Sequence, residues 1–435
     1  MKSKIKNPWR TQLARLSAGV LGLALAGTCL GQEAKPSEPY VSRSDYERVL
    51  KELAAIKQRL GLVEEQKATQ DKQTEETFND YDKELKAIKS LASAAQPGLS
   101  KTLITGYGFA GFADHKDEVS SFSAGFNPIF LWKPTDRLFF EGELEVELEG
   151  GDTMVALEYS QLSYLLNDYV TLGVGKFLSP NNYFMERLHP AWINKLPDKP
   201  LMFDGDMRLL ASTQLGAQVR GIVPLGATKI RYALYAANGP SLRTTGASAG
   251  ALKFKTFEDI NDNKAVGGRV GFFPIPQLEV GYGFEVANAG ASGTAFGDVR
   301  AVARTVDLNY VRDSDLLKGT LDFRTQWAWL NIDNPNAGVL TFDNKREGAY
   351  AQLAYRPSKL AGFIKEMEFV GRYDWLDLPR FAANNADEQR WTLGLNYWLT
   401  ASVVLKAAYE FGDRKEPGHA KENINAFLLQ TAIGF

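Results

Sequence analysis

The chain ends Ala426-Phe427-Leu428-Leu429-Gln430-Thr431-Ala432-Ile433-Gly434-Phe435. Alternate side chains of a β-strand point to opposite faces. Phe427, Leu429, Thr431, Ile433 and Phe435 therefore share one face, and Gln430, Ala432 and Gly434 lie on the other. An apolar face backed by a small or polar one suits a wall between lipid and water. Whether the rest of the chain repeats this pattern decides the fold.

From Thr102 onward it does. Sixteen segments alternate with a period of two, each about ten to thirteen residues long, the length a tilted strand needs to cross a bilayer. They fall near 102–113, 120–132, 137–149, 153–166, 169–178, 211–223, 228–238, 264–273, 277–287, 302–312, 319–332, 346–356, 366–377, 388–398, 403–412 and 425–435. Alternation is weakest in the first, fourth and fifth. Short turns follow several even segments, and longer polar loops follow several odd ones, the signature of an outer-membrane barrel. An even strand number places both ends of such a barrel in the periplasm.

The apolar sets survive a charge test. One face of 120–132 carries Phe122, Ala124, Phe126, Pro128, Phe130 and Trp132; one face of 388–398 carries Trp391, Leu393, Leu395 and Tyr397. Lys176 and Arg304 are the basic residues expected outward, each near a strand end where it can snorkel. Aromatic residues gather at strand ends, as in interfacial girdles. Pro128, inside a strand, predicts a bulge. A soluble sandwich or small soluble barrel also alternates, but it hides its apolar face, uses fewer strands and needs no girdles.

The opposite faces carry the charge. Glu141, Glu143, Glu145, Glu147 and Glu149 form a column on one strand. Unpaired acids cannot be buried in a dry core, so the interior is wet or holds basic partners. By the same parity Arg220, Lys229, Arg231, Arg269, Arg324, Arg356, Arg372 and Lys406 point inward. Two walls of opposite charge would set a field across a pore and select ions; the plainer reading is that these charges pair with one another. Residues 179–210 are the longest gap between strands and are rich in apolar and aromatic side chains for a solvent loop. This composition predicts a loop folded into the barrel that narrows it, with Arg187, Lys195, Lys199 and Arg208 available to solute.

The chain has 435 residues, of which 44% are hydrophobic, and its mean hydropathy of -0.25 argues against a bundle of membrane helices. Residues 1–31 read as a secretory signal peptide, with Lys2, Lys4, Lys6, Arg10 and Arg15 ahead of the apolar run Leu16 to Leu30. Removing these five basic residues, with no acid among them, takes the net charge from -2 to -7. A mildly acidic secreted chain is a poor partner for nucleic acid. Cys29 is the only cysteine; Ala26-Gly27-Thr28-Cys29 resembles a lipoprotein box, with Thr28 where a smaller residue is usual. Residues 32–40 and 97–101 read as linkers. Between them, 41–96 follows a heptad, with Tyr46, Leu53, Leu60, Tyr81 and Ile88 at a and Val49, Ile56, Val63 and Leu91 at d. The seam is polar at its centre. Leu at a with β-branched residues at d points to trimers or tetramers.

No enzyme signature is present. His115, His189 and His419 form no metal-ligand spacing, and neither a phosphate-binding Gly loop nor a nucleophile elbow occurs. The sequence therefore predicts no catalytic residue, no metal and no cofactor.

A family can be placed beside these readings. Val174-Gly175-Lys176-Phe177-Leu178-Ser179-Pro180, followed by Glu186-Arg187, resembles the strand-loop motif of the phosphate-selective porin O and P family. Trp391 to Trp398, a short turn, and Val404 to Tyr409 are similar to that family's last strands. The resemblance implies a sixteen-stranded trimeric porin over 102–435, and a coiled coil ahead of a barrel resembles the dicarboxylate-type porins. The expectation is an all-β transmembrane barrel behind a periplasmic coiled coil. It would sit in outer-membrane lipid, form homotrimers and pass small hydrophilic solutes or anions. The alternative is a structural anchor whose coiled coil tethers the membrane to peptidoglycan.

Overall fold

A backbone that crosses lipid must satisfy its own hydrogen bonds, and a closed sheet does so without leaving an edge. The computed structural model adopts this solution. It describes residues 102–435 apart from 150, 255, 256, 258, 380, 381, 383 and 384. The predicted signal segment (1–31), linkers (32–40 and 97–101) and coiled coil (41–96) lie outside the described residues, as does Cys29.

Sixteen long antiparallel strands form the barrel. The first eight are β1 (Thr102–His115), β2 (Ser121–Trp132), β3 (Leu138–Glu149), β4 (Asp152–Asn167), β5 (Val170–Leu178), β6 (Thr213–Leu225), β7 (Thr228–Asn238) and β8 (Lys264–Ile275). The rest are β9 (Leu278–Asn288), β10 (Arg300–Ser314), β11 (Gly319–Ile332), β12 (Asn344–Arg356), β13 (Met367–Asp377), β14 (Asp387–Trp398), β15 (Val403–Lys415) and β16 (Ala426–Gly434). Each pairs with its sequence neighbour, and β16 closes the ring on β1 with Gly111 opposite Gln430 and Tyr107 opposite Gly434.

Faces follow the alternation. In β16, Phe427, Leu429, Thr431 and Ile433 are exposed, while Ala426, Leu428, Gln430, Ala432 and Gly434 are covered from inside. Leu278 to Val286 of β9 and Trp391 to Tyr397 of β14 behave likewise. Arg304 is exposed on the outer face, and the Lys176 ammonium reaches the Leu157 carbonyl. Near one rim, Trp327 stacks on Trp329 and meets Trp375 edge-on, and Tyr373 packs on Trp391.

Two irregularities differ from expectation. Pro128 makes no bulge. Its strand stays in register with β1 and β3, and the β3 ladder simply omits Asn127 and Pro128, where no proline N–H is available. Opposite it Gly106 takes φ 152°, where a Cβ would lie 2.3 Å from the Asn127 carbonyl oxygen. The bulge is instead in β4. Glu143 faces Tyr159 and Leu144 faces Leu157, leaving Glu158 as the extra residue. Parity reverses there, so a strict period of two reads poorly through 153–166.

One end of the barrel carries turns such as 168–169, 226–227 and 276–277. The other carries the long loops, among them 179–212, 239–263 and 416–425. Loop 179–212 runs inside the barrel. Its Phe184, Met185, Leu188, Met202, Phe203, Leu209 and Leu210 share a buried apolar cluster with inward Ala301, Ala328, Leu330, Tyr350 and Leu376 of β10–β13. Glycines on the inner wall admit it. A Cβ at Gly348 would lie 2.9 Å from Met202, one at Gly394 2.5 Å from Leu196, and one at Gly434 2.7 Å from Trp192.

Leu393 sits mid-strand on the outer face of β14 and is 55% exposed. Leu393→Arg should cost about 2–4 kcal/mol of stability in bilayers, read from urea unfolding in lipid vesicles. An unchanged transition would mean that this face does not meet acyl chains.

Candidate functional site: an interior loop between two cavities

The interior loop is built from short polar signals set among apolar ones. Its ends are tied together by a hydrogen bond from the Ser179 N–H to the Ser212 carbonyl, 2.9 Å. Asn182 caps α1 (Tyr183–Arg187), its side-chain oxygen accepting from the Met185 N–H at 3.1 Å. The Asn181 carbonyl accepts from Gln326 Nε2 at 2.9 Å and Thr305 Oγ1 at 3.3 Å, which fixes the start of the loop to the far wall. Phe184 stacks on Phe203, and both meet Tyr350 edge-on.

Charged pins hold the second half. Lys195 binds Glu368 at 2.6 Å. The Lys406 ammonium donates to the carbonyls of Ala191 and Asn194 and to Gln430. Asp198 is gripped by Arg372 and, at 2.6 Å, by Arg390. Arg372 also binds Asp374 at 2.7 Å, and Arg390 binds Glu410 at 3.2 Å. Burial alone would raise the Asp198 carboxyl, but the two guanidinium groups outweigh it and hold its pKa below the usual range. The contact is therefore complete above the unfolded carboxylate value of about 3.9 and fails only as pH falls below it.

Two spaces remain beside the loop. A cavity of about 730 Å³ opens towards the short-turn end between α1 and the β3–β8 wall. Glu141 and Gln161 border it on one side, and Arg220, Arg231 and Arg269 on the other, with Glu186 and Arg187 from α1. Glu186 binds Arg187 at 3.0 Å and Arg220 at 3.2 Å. Its burial is again outweighed by Arg187, Arg220 and Arg269, and its pKa is lowered. A second cavity of about 340 Å³ lies towards the long-loop end, with Glu145, Glu147, Glu158, His189 and Lys199 in its lining.

The residues singled out from sequence divide accordingly. Glu141, Arg187, Arg220 and Arg231 border the first cavity. Glu145, Glu147 and Lys199 border the second. Glu143 is 1% exposed and borders neither. Glu149 lies at the end of β3, with its side chain outside the described set. Arg269 reaches the first cavity while chelated by Asp307 at 2.8 and 2.6 Å and by Glu279 at 2.8 Å. Arg324 is held by Asp322 at 2.6 Å. Lys229 lies over Phe273, and Arg208 over Phe254. Arg372 and Lys406 point inward, as parity requires, but lie beneath the loop rather than facing open space, because the loop supplies the acceptors that pay for their burial. Lys195 is likewise a pin.

Sequence reasoning missed Asp198, Arg390 and Glu410. Arg390 was within reach, because it shares parity with Thr392 and Asn396 and so faces inward. Asp198, between Pro197 and Pro200, carries no local sign of its distant partners.

This is the architecture of a known class. No protein-family profile matches the chain, and no characterised protein matches it by sequence. Solved structures do match. The anion-selective porin from Comamonas acidovorans aligns with a TM-score of 0.53 at 13% identity, over 77% of this chain and 99% of that one. The outer-membrane channel DcaP of Acinetobacter baumannii aligns with a TM-score of 0.50 at 14% identity, over 77% and 97%. The fold is that of the outer-membrane porins. At such identities the likeness fixes the porin barrel and nothing finer.

Asp198→Asn leaves two buried guanidinium groups short of a carboxylate. We expect a loss of about 3 kcal/mol in urea unfolding, with faster protease cleavage within 197–206. Wild-type stability together with an unchanged cleavage rate would show that Asp198 does not hold the loop.

Proposed function

We propose that the protein is an outer-membrane porin for passive diffusion of small hydrophilic solutes, with loop 179–212 setting the aperture. The observation that carries this reading is the first cavity. It is a space of about 730 Å³ inside a closed barrel, left open where the loop does not fill the lumen. Its walls set Glu141, Glu186, Arg187, Arg220, Arg231 and Arg269 among apolar side chains, and this density of charge suits transit of hydrated solutes. Glu141 lies towards one edge of the β3–β8 wall and Arg220 and Arg231 towards the other, so a charged solute entering the space experiences a sideways field. The neighbouring fold described as an anion-selective porin is consistent with charge at such a site.

In the same reading the barrel sits in outer-membrane lipid as a homotrimer. Residues 41–96 would assemble as a coiled coil in the periplasm, where they could touch peptidoglycan.

The test is electrical. Purified protein in planar bilayers should give stepwise conductance, with and without residues 41–96. Under a salt gradient, Arg220→Gln with Arg231→Gln should move the reversal potential towards cation preference, and Glu141→Gln should move it towards anions. Absence of current from both forms, with retained binding to cell-wall material, would favour a membrane anchor instead.

A further inference from the structure

The two cavities share no lining residue. The glutamate column of β3 shows this directly. Glu141 opens into one space and Glu145 and Glu147 into the other, while Glu143 is covered between them. What covers it is the interior loop. His189 Nε2 stands 3.8 Å from Glu143 Oε1, and its ring lies edge-on to Tyr107.

The contact is unfinished in its neutral form. His189 Nδ1 is 2.5 Å from the Met185 carbonyl oxygen, which can only accept, so the ring proton sits on Nδ1. Nε2 is then a bare lone pair, buried, without a hydrogen-bond partner and aimed at a carboxylate. Glu143 is satisfied otherwise, by the Tyr107 hydroxyl at 2.8 Å and by Tyr159. Asn127 in turn donates to Tyr107 at 2.8 Å. None of the ion pairs described for Glu143 involves Lys or Arg. The surroundings are mixed in charge: Tyr107 from β1, Glu141 and Glu145 from β3, Glu158 and Tyr159 from β4, and Lys199 from the loop itself. Asp198 and Glu410, farther along the second cavity, are engaged by Arg390.

We propose that His189 and Glu143 form a proton-operated gate between the two cavities, closed by acid. This rests on the porin reading above. A proton on Nε2 turns an unbonded approach into a charge-assisted hydrogen bond and clamps the loop to the wall. Without it, a lone pair faces a carboxylate and no bond joins the ring to β3; the backbone stays pinned at Ala191 by Lys406, and the ring swinging away from Glu143 joins the cavities. The closed form binds the proton more tightly than the open one, so falling pH populates it. The sign is the same whether the proton rests on the imidazole or on the carboxyl, since the pair shares it.

Single-channel recording tests this with the full chain in planar bilayers at pH 8 and pH 5. The ratio of open to closed time should fall roughly tenfold or more at pH 5 in the native protein, the scale of a charge-assisted bond made in one state alone. His189→Gln and Glu143→Gln should each abolish that fall. Correct folding of each variant is read independently from the heat-dependent gel mobility of its barrel. Equal opening at both pH values in the native chain would overturn the gate and leave the porin reading intact. So would an unchanged acid closure in folded His189→Gln. No current at any pH would remove both readings.

Discussion

The barrel depends on one constraint: hydrocarbon offers no hydrogen-bond partner to a peptide group. Every strand must therefore pair on both sides, and the last must find the first, as β16 finds β1. Once the ring is closed, alternation leaves no freedom. One set of side chains meets lipid, and the other is confined to a lumen too wide for side chains alone to fill. The interior loop follows from that geometry. It covers the apolar inner faces of β10–β13, which would otherwise stand in water, and it leaves the charged wall of β3–β8 facing open space.

Covering part of a charged lumen has a consequence. Arg372, Arg390 and Lys406 end beneath the loop, where an unpaired cation would be far too costly. The loop meets that demand with Asp198 and with backbone carbonyls of Ala191, Asn194 and Lys199. The ions thus act as anchoring points for the loop, and the loop completes their coordination. The inner-wall glycines at 348, 394 and 434 belong to the same arrangement, because a side chain at any of them would push the loop off its seat.

The barrel was legible because its signal is local and repeated. Strand limits read from alternation fall within a few residues of those observed, down to Phe427–Ile433 on the lipid face. Parity also placed Arg220, Arg231 and Arg269 on the inside. It failed in β4, where the extra Glu158 reverses the faces, and at Pro128, where a skipped pair replaced the predicted bulge. The site was less legible for a different reason. Parity says which wall a side chain points into, but not whether a loop from elsewhere lies over it. Arg372 and Lys406 look like pore residues until Asp198 and Asn194, distant in sequence, are seen above them. His189 carried no motif at all; its meaning comes only from the bare nitrogen turned towards Glu143.

The two attachments of the loop differ in kind, and that difference matters for motion. Around Asp198 the pins are guanidinium–carboxylate bonds whose acid holds its charge well below neutral pH. They stay made wherever a cell envelope operates, so this half of the loop is a fixed base. The segment at His189 is held to β3 by no bond of that type. It follows the short helix α1, whose beginning is secured by the cap at Asn182 and the bonds of Asn181 to Thr305 and Gln326. On either side of His189, Leu188 is buried in the apolar cluster and the Ala191 carbonyl is held by Lys406. The backbone here is pinned like the rest of the loop; what lacks a partner is the ring nitrogen of His189. In the proposed gate it is therefore this ring, and not the backbone, that moves against Glu143.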